Sequence, residues 1–201
     1  MSLFITFEGI DGSGKSTIAT KIYHTLQKQN IPAILTKEPT DTEIGLFVQN
    51  CIKKNTNPYV TAFSFIADRI LHSKQITTWL NQKKIVICDR YAASTYAYQG
   101  AQLQQDMPEP MNWLQDLSKN LIQKPHITFL FDIDPEIALK RIQTRPELIP
   151  FEKKTFLTAV RHNYLILAEQ HDFSILDASQ SITTLYNKCL NTLKEKYHIL
   201  K

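Results

Sequence analysis

Apolar residues along the chain form short continuous runs, separated by longer stretches in which they recur every three or four positions. Continuous runs such as 84–88 are typical of strands buried on both faces of a parallel sheet, and the longer spacing predicts amphipathic helices. The predicted strands are 3–7, 31–36, 84–88, 127–131 and 173–176. The predicted helices begin after Gly14 and near Ala92, and cover 42–54, 61–81, 111–122, 135–145, 155–170 and 181–197. The segment 99–112, rich in Gln, Pro and Met, is predicted to be loop.

This alternation of strands and helices predicts the α/β class, with a parallel sheet covered by helices on both faces. A length of 201 residues is ample for one such domain. The chain contains no internal repeat and no stretch that resembles an interdomain linker. The hydrophobic content of 43% and the charged content of 21% are ordinary for a globular protein.

Charge and targeting signals narrow the class of protein. No apolar run is long enough to span a bilayer, and the N-terminus lacks the basic and apolar pattern of an export signal. The three cysteines are isolated from one another, which indicates reduced thiols and a cytoplasmic protein. The net charge of +4 suits small anionic ligands but is too weak to indicate nucleic acid.

Glycine is concentrated near the N-terminus, where three of the five glycines lie within six residues. They belong to a complete G-x-x-x-x-G-K-[ST] motif at 9–16, with a predicted strand before it and a predicted helix after it. The backbone N–H groups of such a loop form an anion site, a lysine reaches the β- and γ-phosphates, and a serine hydroxyl ligates Mg²⁺. The residues predicted to bind the nucleotide here are Gly9, Ile10, Asp11, Gly12, Ser13, Gly14, Lys15, Ser16 and Thr17.

Asp89, Arg90 and Tyr91 directly follow the predicted buried strand 84–88. In open α/β sheets ligands bind at the carboxyl ends of the strands, so these side chains are expected beside the phosphate loop. Asp89 is predicted to hold Mg²⁺ through water, and Arg90 to clamp a second phosphate. A structural ion pair at the end of the strand is the alternative.

Phe65 and Arg69 are four residues apart and therefore share one face of a predicted helix. An aromatic ring beside a guanidinium can stack on a base and bind its phosphate, although a core phenylalanine near a surface arginine is the commoner arrangement. Four residues with polar side-chain atoms follow Tyr91 closely, namely Ser94, Thr95, Tyr98 and Gln99. These side chains can bind the edge of a base or a sugar, or they can simply cap a helix and pack against it.

Arg141 and Arg145 are also four residues apart and precede the segment 146–150, with Lys153 and Lys154 after it. Cations on a mobile flap above a phosphate site can close on the transferring group and exclude water. A solvated basic helix is the alternative reading of the same residues.

Together these motifs resemble those of the thymidylate kinase family, a group of P-loop nucleoside-monophosphate kinases. The matching segments are 7–17, 36–39, Phe65 with Arg69, 89–100, 132–141 and 177–179. The resemblance implies one three-layer P-loop NTPase domain over 1–201, with a five-stranded parallel sheet flanked by helices and a helical lid near 141–155. It implies transfer of the γ-phosphoryl of MgATP to dTMP, giving dTDP and ADP for dTTP synthesis, by a homodimer.

The resemblance also implies roles for the acceptor side of the site. Phe65 would stack on thymine, and Arg69 would bind the base edge rather than a phosphate. Arg90 would hold the acceptor phosphate, and Asp11 would lie beside the acceptor nucleotide. Ser94, Thr95 and Gln99 would contact base or sugar.

Further implied roles concern the sugar and the adenine. Tyr98 would lie under the deoxyribose, where its ring can reject a 2′-hydroxyl. Arg141 would stack on adenine, and the segment 177–179 would border the adenine through its backbone.

Two departures from the family's pattern affect these roles. One branch of the family has an arginine at the position of Gly12, so the missing charge is expected from the lid. Arg145 is the predicted transition-state cation, with Lys153 or Lys154 as substitutes, although Ile149 and Pro150 stand where the other branch often has Asp and Arg. Lys37 stands where the family often has arginine, and no role is assigned to it.

Three alternatives remain open from the residues. A kinase for deoxynucleosides, dUMP or dCMP shares the phosphate loop and lid, although Asp89-Arg90-Tyr91 followed by Tyr98-Gln99-Gly100 favours a pyrimidine monophosphate. A nucleotide-dependent switch protein that binds partners is disfavoured, because Asn187-Lys188 lacks the aspartate of the Asn-Lys-x-Asp motif of guanine readers and lies in the last predicted helix. The helix face with Phe63, Ile66 and Ile70 fits either core or a dimer interface.

Overall fold

A computed structural model describes residues 2–142 and 154–199, and in that part of the chain five parallel strands form one sheet. The strands are β1 (Leu3–Glu8), β2 (Ala33–Lys37), β3 (Ile85–Asp89), β4 (Ile127–Asp132) and β5 (Ser174–Asp177). Their order across the sheet is β2-β3-β1-β4-β5. Every residue of the central strand β1 is buried, as expected for a strand covered on both faces.

Helices connect the strands and cover the sheet. They are α1 (Lys15–Lys28), α2 (Glu43–Lys53), α3 (Pro58–Asn81), α4 (Ala92–Leu103), α5 (Pro110–Ser118), α6 (Pro135–Ile142), α7 (Lys154–Gln170) and α8 (Ile182–Tyr197). The helices α1 and α8 pack together beside the sheet, whereas α3, α4 and α7 form a second packed group, to which α2, α5 and α6 are added. The predicted three-layer α/β fold with a five-stranded parallel sheet is confirmed.

The sheet order places the candidate chemistry at one edge. Phe7 pairs with Asp89 on one side and with Phe129 on the other, so β1 and β3 end within one residue of each other and β4 extends two residues beyond β1 at the same edge. The loops that follow these strands therefore meet above the carboxyl edge, which is where the phosphate loop and Arg90 are found. In the described residues no helix combines the length and apolar character needed to cross a membrane.

The prediction of a loop over 99–112 was wrong at both ends. Helix α4 continues to Leu103 and α5 begins at Pro110, which leaves only 104–109 between them. Glutamine is a good helix former, so the polar composition of this stretch did not indicate a loop. Gly100 is needed inside α4 because a Cβ there would lie 2.7 Å from Cγ of Met111 on α5.

Helix α3 begins three residues earlier than the predicted 61–81. Pro58 occupies the first turn, where its missing N–H costs nothing, and the Asn57 side chain accepts hydrogen bonds from the backbone N–H groups of Tyr59 and Val60. This proline and its cap were the sequence signals for the true start. Helix α5 ends at Ser118, before the predicted 122.

Candidate active site

The loop 9–14 joins β1 to α1 and presents backbone N–H groups rather than side chains. Gly12 has φ +82°, and a Cβ there would lie 2.5 Å from the carbonyl oxygen of Ala138, so a side chain is excluded by both strain and space. Gly14 caps α1 without a side-chain hydrogen bond. The first N–H groups of α1 are therefore available to an anion, and the helix dipole favours negative charge at this end.

Lys15 lies almost buried in this loop, with 5% of its surface exposed. Its Nζ lies 3.4 Å from the carbonyl oxygen of Ile10 and 3.8 Å from Oδ1 of Asp11. Burial, together with the nearby charge of Arg90, lowers the pKa of Lys15 to about 8, and the charge of Asp11 opposes this shift. An ammonium held at such cost is suited to a ligand that brings negative charge.

Arg90 places a second cation beside Lys15. It adopts φ +68°, a strained conformation for a non-glycine residue and one that recurs at functional sites. Its Nη2 lies 3.0 Å from Oδ1 of Asp11 as an ion pair whose angle falls outside hydrogen-bond geometry. Its guanidinium carbon lies 5.3 Å from the centre of the Tyr98 ring. Lys15 and Arg90 thus share Asp11 and converge on one point, as required for binding two phosphate groups.

Oxygen donors suitable for a divalent cation lie next to the loop. Ser16 and Asp89 line one cavity of about 490 Å³, and Oδ1 of Asp89 is buried with no hydrogen-bond partner in the described residues. A hydroxyl and a carboxylate match the hard oxygen ligands that Mg²⁺ prefers. No cluster of three or more His, Cys, Asp or Glu occurs in 2–142 and 154–199, so a metal here would rely on phosphate and water for its other ligands.

A second cavity, of about 400 Å³, extends from Arg90 towards α3 and α4. Its lining includes Phe65, Arg69, Tyr98 and Gln99, so Phe65 and Arg69 face the same space. We refer to it as the base cavity. Its size and mixed apolar and polar lining suit a small planar ligand.

Besides Nη2 of Arg90, two buried polar atoms of residues lining the base cavity have no hydrogen-bond partner in the described residues. One is Nη1 of Arg69, a donor, and the other is Oε1 of Gln99, an acceptor. The remaining nitrogens of Arg69 are engaged by Glu38, by the carbonyl oxygen of Tyr91 and by Thr95. Since buried polar groups are normally paired, this donor and acceptor indicate a ligand that supplies the complementary pair.

The opposite side of the phosphate loop is bordered by α6 and the segment after β5. Nη1 of Arg141 lies 3.4 Å from the carbonyl oxygen of Gly12 and 3.0 Å from that of Ala178. Its side chain is otherwise exposed, which leaves a guanidinium face open for stacking.

A larger cavity, of about 790 Å³, lies elsewhere, near His126 and His171. It does not coincide with the unpaired atoms. In the described part of the chain the buried side-chain atoms without a hydrogen-bond partner are on Ser13, Arg69, Asp89, Arg90 and Gln99. All five residues belong to the phosphate loop, the base cavity or the strand end between them, so we place the functional site there despite its smaller volume.

Comparison with known proteins agrees with this geometry. Residues 7–189 match the family model described as thymidylate kinase. The chain is 42% identical over 195 residues, 95% of each chain, to a protein of Methanosarcina mazei named "Probable thymidylate kinase". Proteins with the same name from Methanosarcina acetivorans and Methanococcoides burtonii are 44% identical over 88% of each chain and 41% identical over 94%.

The chain belongs to the thymidylate kinase family. The resemblance drawn from the motifs is therefore confirmed. The residues named from the sequence for the thymidylate kinase site lie around the phosphate loop and the base cavity, with two exceptions. Arg145 and Lys153 lie outside the described residues. Lys154, at the start of α7, has its Nζ 2.9 Å from Oε2 of Glu136.

The hydroxyls of Ser94 and Thr95 are already engaged within the protein. Oγ of Ser94 donates to Glu8 and accepts from Nη1 of Arg90. Oγ1 of Thr95 accepts from Nη2 of Arg69 at 2.8 Å, and Thr95 is only 1% exposed. Any influence of Thr95 on a bound base is therefore exerted through Arg69.

Sequence reasoning missed Glu8, a fully buried carboxylate at the end of β1. It accepts hydrogen bonds from the backbone N–H of Tyr91, from Ser94 and from the hydroxyl of Tyr164 on α7. Burial raises the pKa of Glu8, and the hydrogen bond from Ser94 opposes this shift. A single charge at the end of a mostly apolar strand was the available signal, since such a group is buried only with dedicated partners.

Proposed function

We propose that this enzyme transfers the γ-phosphoryl group of MgATP to dTMP, giving dTDP and ADP in dTTP biosynthesis. The choice of base rests on two buried polar atoms in the base cavity that have no hydrogen-bond partner in the described residues. They are the donor Nη1 of Arg69 and the acceptor Oε1 of Gln99. Thymine offers the matching edge, with O4 as acceptor and N3–H as donor. Cytosine offers the reverse, with an amino donor at C4 and an unprotonated N3.

The proposed phosphate-binding roles rest on two cations, Lys15 and Arg90. Phosphoryl transfer needs in-line placement of two anionic substrates and neutralisation of the charge that spreads over the transferring group. Lys15 binds the phosphates of ATP and Arg90 binds the acceptor phosphate, with Asp11 between them as the shared counterion. Because Lys15 and Arg90 are both held by Asp11, the phosphates enter a site that is already organised.

The remaining assignments complete the site. Ser16, with Asp89 acting through water, would hold a Mg²⁺ ion, whose charge would offset that of the ATP phosphates. Phe65 stacks on the base, Tyr98 lies beneath the sugar, and Arg141 stacks on the adenine. The lid near 141–155 closes over the phosphates and supplies Arg145 as the transition-state cation, as the family resemblance suggests.

We also propose that the enzyme is a cytoplasmic homodimer that acts on free nucleotides and not on nucleic acid. Apolar side chains are exposed on the neighbouring helices α2 and α3, among them Phe47 at 51%, Phe63 at 50% and Leu71 at 47%. Exposed apolar side chains grouped on two adjacent helices favour a protein interface.

ADP release tests the proposed reaction. The enzyme is given MgATP with dTMP, dUMP, dCMP, AMP or thymidine in parallel. We expect release with dTMP and a kcat/KM for dCMP at least about 100-fold lower, because cytosine leaves both buried polar atoms unpaired. Release driven by thymidine would overturn the role of Arg90, and equal use of dCMP would overturn the role of the Arg69 and Gln99 pair. No release with any acceptor would refute the function itself.

A further inference from the structure

Four side chains form a continuous hydrogen-bonded row that ends at the base cavity. Oγ1 of Thr36, on β2, lies 2.8 Å from Nε2 of His72 on α3. Nδ1 of the same histidine lies 2.9 Å from Oε1 of Glu38. Oε2 of Glu38 accepts from Nε of Arg69 at 2.7 Å. We call these four residues the Thr36–Arg69 row, and the reaction proposed above assigns a role only to its last member.

Burial makes the row rigid. Glu38, His72 and Arg69 are 4%, 2% and 0% exposed. A buried carboxylate without partners is costly, and here each oxygen of Glu38 has its own partner, one from His72 and one from Arg69. The backbone N–H of Glu38 also donates to the carbonyl oxygen of Asp89, which holds the residue at the carboxyl edge of the sheet. Glu38 therefore has one favourable orientation.

This arrangement leaves Arg69 with one direction in which to donate. Its Nε and Nη2 both approach Oε2 of Glu38 at 2.7 Å. The guanidinium carbon also lies 5.4 Å from the centre of the Tyr91 ring. A guanidinium engaged on two nitrogens and packed against a ring cannot rotate without breaking these contacts. Nη1 is thereby left as the nitrogen that meets a ligand.

We propose that Glu38 is a positioning residue for Arg69, that His72 and Thr36 orient Glu38 in turn, and that the row sets the selectivity for dTMP over dCMP. This rests on the proposed function. A donor fixed in place rejects the amino group of cytosine, because two donors then face each other without an acceptor. If Arg69 were released from Glu38 it could turn aside, and cytosine would be tolerated.

Glu38→Gln is the first test, because it keeps the shape of the side chain and removes its charge. We expect kcat/KM for dTMP to fall about 10- to 100-fold, mainly through KM, since a charged hydrogen bond that orders the base site is lost. The ratio of kcat/KM for dTMP to that for dCMP falls with it, while KM for MgATP is unchanged. An unchanged ratio in a folded variant would contradict the proposal.

Thr36→Val is a milder variant that remains informative if Glu38→Gln fails to fold. It removes one hydroxyl at the far end of the row, and we expect the selectivity ratio to fall about 2- to 5-fold. Ser118→Ala is the matched control, because it removes a buried hydroxyl that lies 2.6 Å from the hydroxyl of Tyr96 and donates to the carbonyl oxygen of Leu114, neither of which is a member of the row. Equal changes in the ratio for both variants would indicate a general loss of stability and overturn the proposal.

A double variant separates positioning from direct contact. Arg69→Met removes the donor, so adding Glu38→Gln to it should change the selectivity ratio by less than about 2-fold if Glu38 acts through Arg69. A full additional effect would mean that Glu38 reads the base by itself, and the row would be rejected. If the wild-type enzyme releases no ADP with dTMP, the proposed function is refuted. If the wild-type enzyme prefers dTMP but the variants keep the same selectivity ratio, only the role of the Thr36–Arg69 row is refuted.

Discussion

Binding of ATP is expected to draw a proton from solution, because Lys15 is held with its pKa lowered to about 8 in the nucleotide-free protein. The bound phosphates place negative charge next to its ammonium and raise the pKa again. At pH 8.5 about three-quarters of Lys15 is uncharged before binding and nearly all is charged after it, which corresponds to an uptake of about 0.75 proton. At pH 7 the same calculation gives about 0.1 proton.

The sign of the effect on affinity follows from this linkage. Because the free site loses its charge as the pH rises through about 8, the affinity for ATP falls in that range. The fall approaches about tenfold per pH unit until the pKa of the bound state is reached. The phosphates of ATP do not mask it, since their last ionisation lies well below pH 8.

Isothermal titration of MgATP into the protein without acceptor measures the uptake. Heats are compared at each pH in two buffers of different ionisation enthalpy, and their difference gives the number of protons taken up. Lys15→Arg is the control, because an arginine stays charged in this pH range and should take up none. Equal uptake at pH 7 and 8.5, or the same uptake in Lys15→Arg, would refute the role assigned to the buried ammonium.

Three further predictions concern turnover, assembly and the phosphate loop. Arg145→Ala should lower kcat by about 10³-fold or more with little change in ATP affinity, as for arginine fingers. Lys154→Ala should change kcat little, because the Lys154 ammonium is paired with a surface carboxylate. Steady-state kinetics with dTMP distinguishes the two variants. Phe63→Glu should give a monomer in analytical ultracentrifugation, while Leu121→Glu, at a similarly exposed leucine that belongs to neither α2 nor α3, should not. Gly12→Ala should lower the free energy of unfolding by about 1–3 kcal/mol and abolish ATP binding, because the backbone there is strained for alanine and the new Cβ would collide with the carbonyl oxygen of Ala138. Thermal unfolding without ATP should show the loss of stability. An unchanged midpoint of unfolding would contradict the geometry.

Local patterns in the sequence were sufficient for much of the fold. Buried parallel strands tend to be continuous apolar runs, so five runs predicted five strands, with a largest error of two residues at the start of β2. Composition gave a wrong prediction where packing between helices decided the secondary structure. The stretch 99–112 looks polar and irregular, yet most of it is helical because α4 and α5 pack against each other there.

The phosphate loop and the family resemblance could also be predicted from the sequence, because glycine, lysine and serine at fixed spacing perform their chemistry through backbone geometry that is local. The partners of Arg69 are not local. Glu38 lies 31 residues from Arg69 and Thr95 lies 26 residues from it, so their contacts exist only once β2, α3 and α4 are assembled.

The sequence alone therefore determined the class of fold, the phosphate loop and the residue types that bind nucleotides, since each depends on neighbours within a few positions. Only the tertiary structure decided which polar atoms remain unpaired. Arg69 has five N–H groups, and nothing in its local sequence reveals that Nη1 is the nitrogen left for a ligand. That follows from burial, because a buried donor is defined by the partners that distant elements bring to it or withhold.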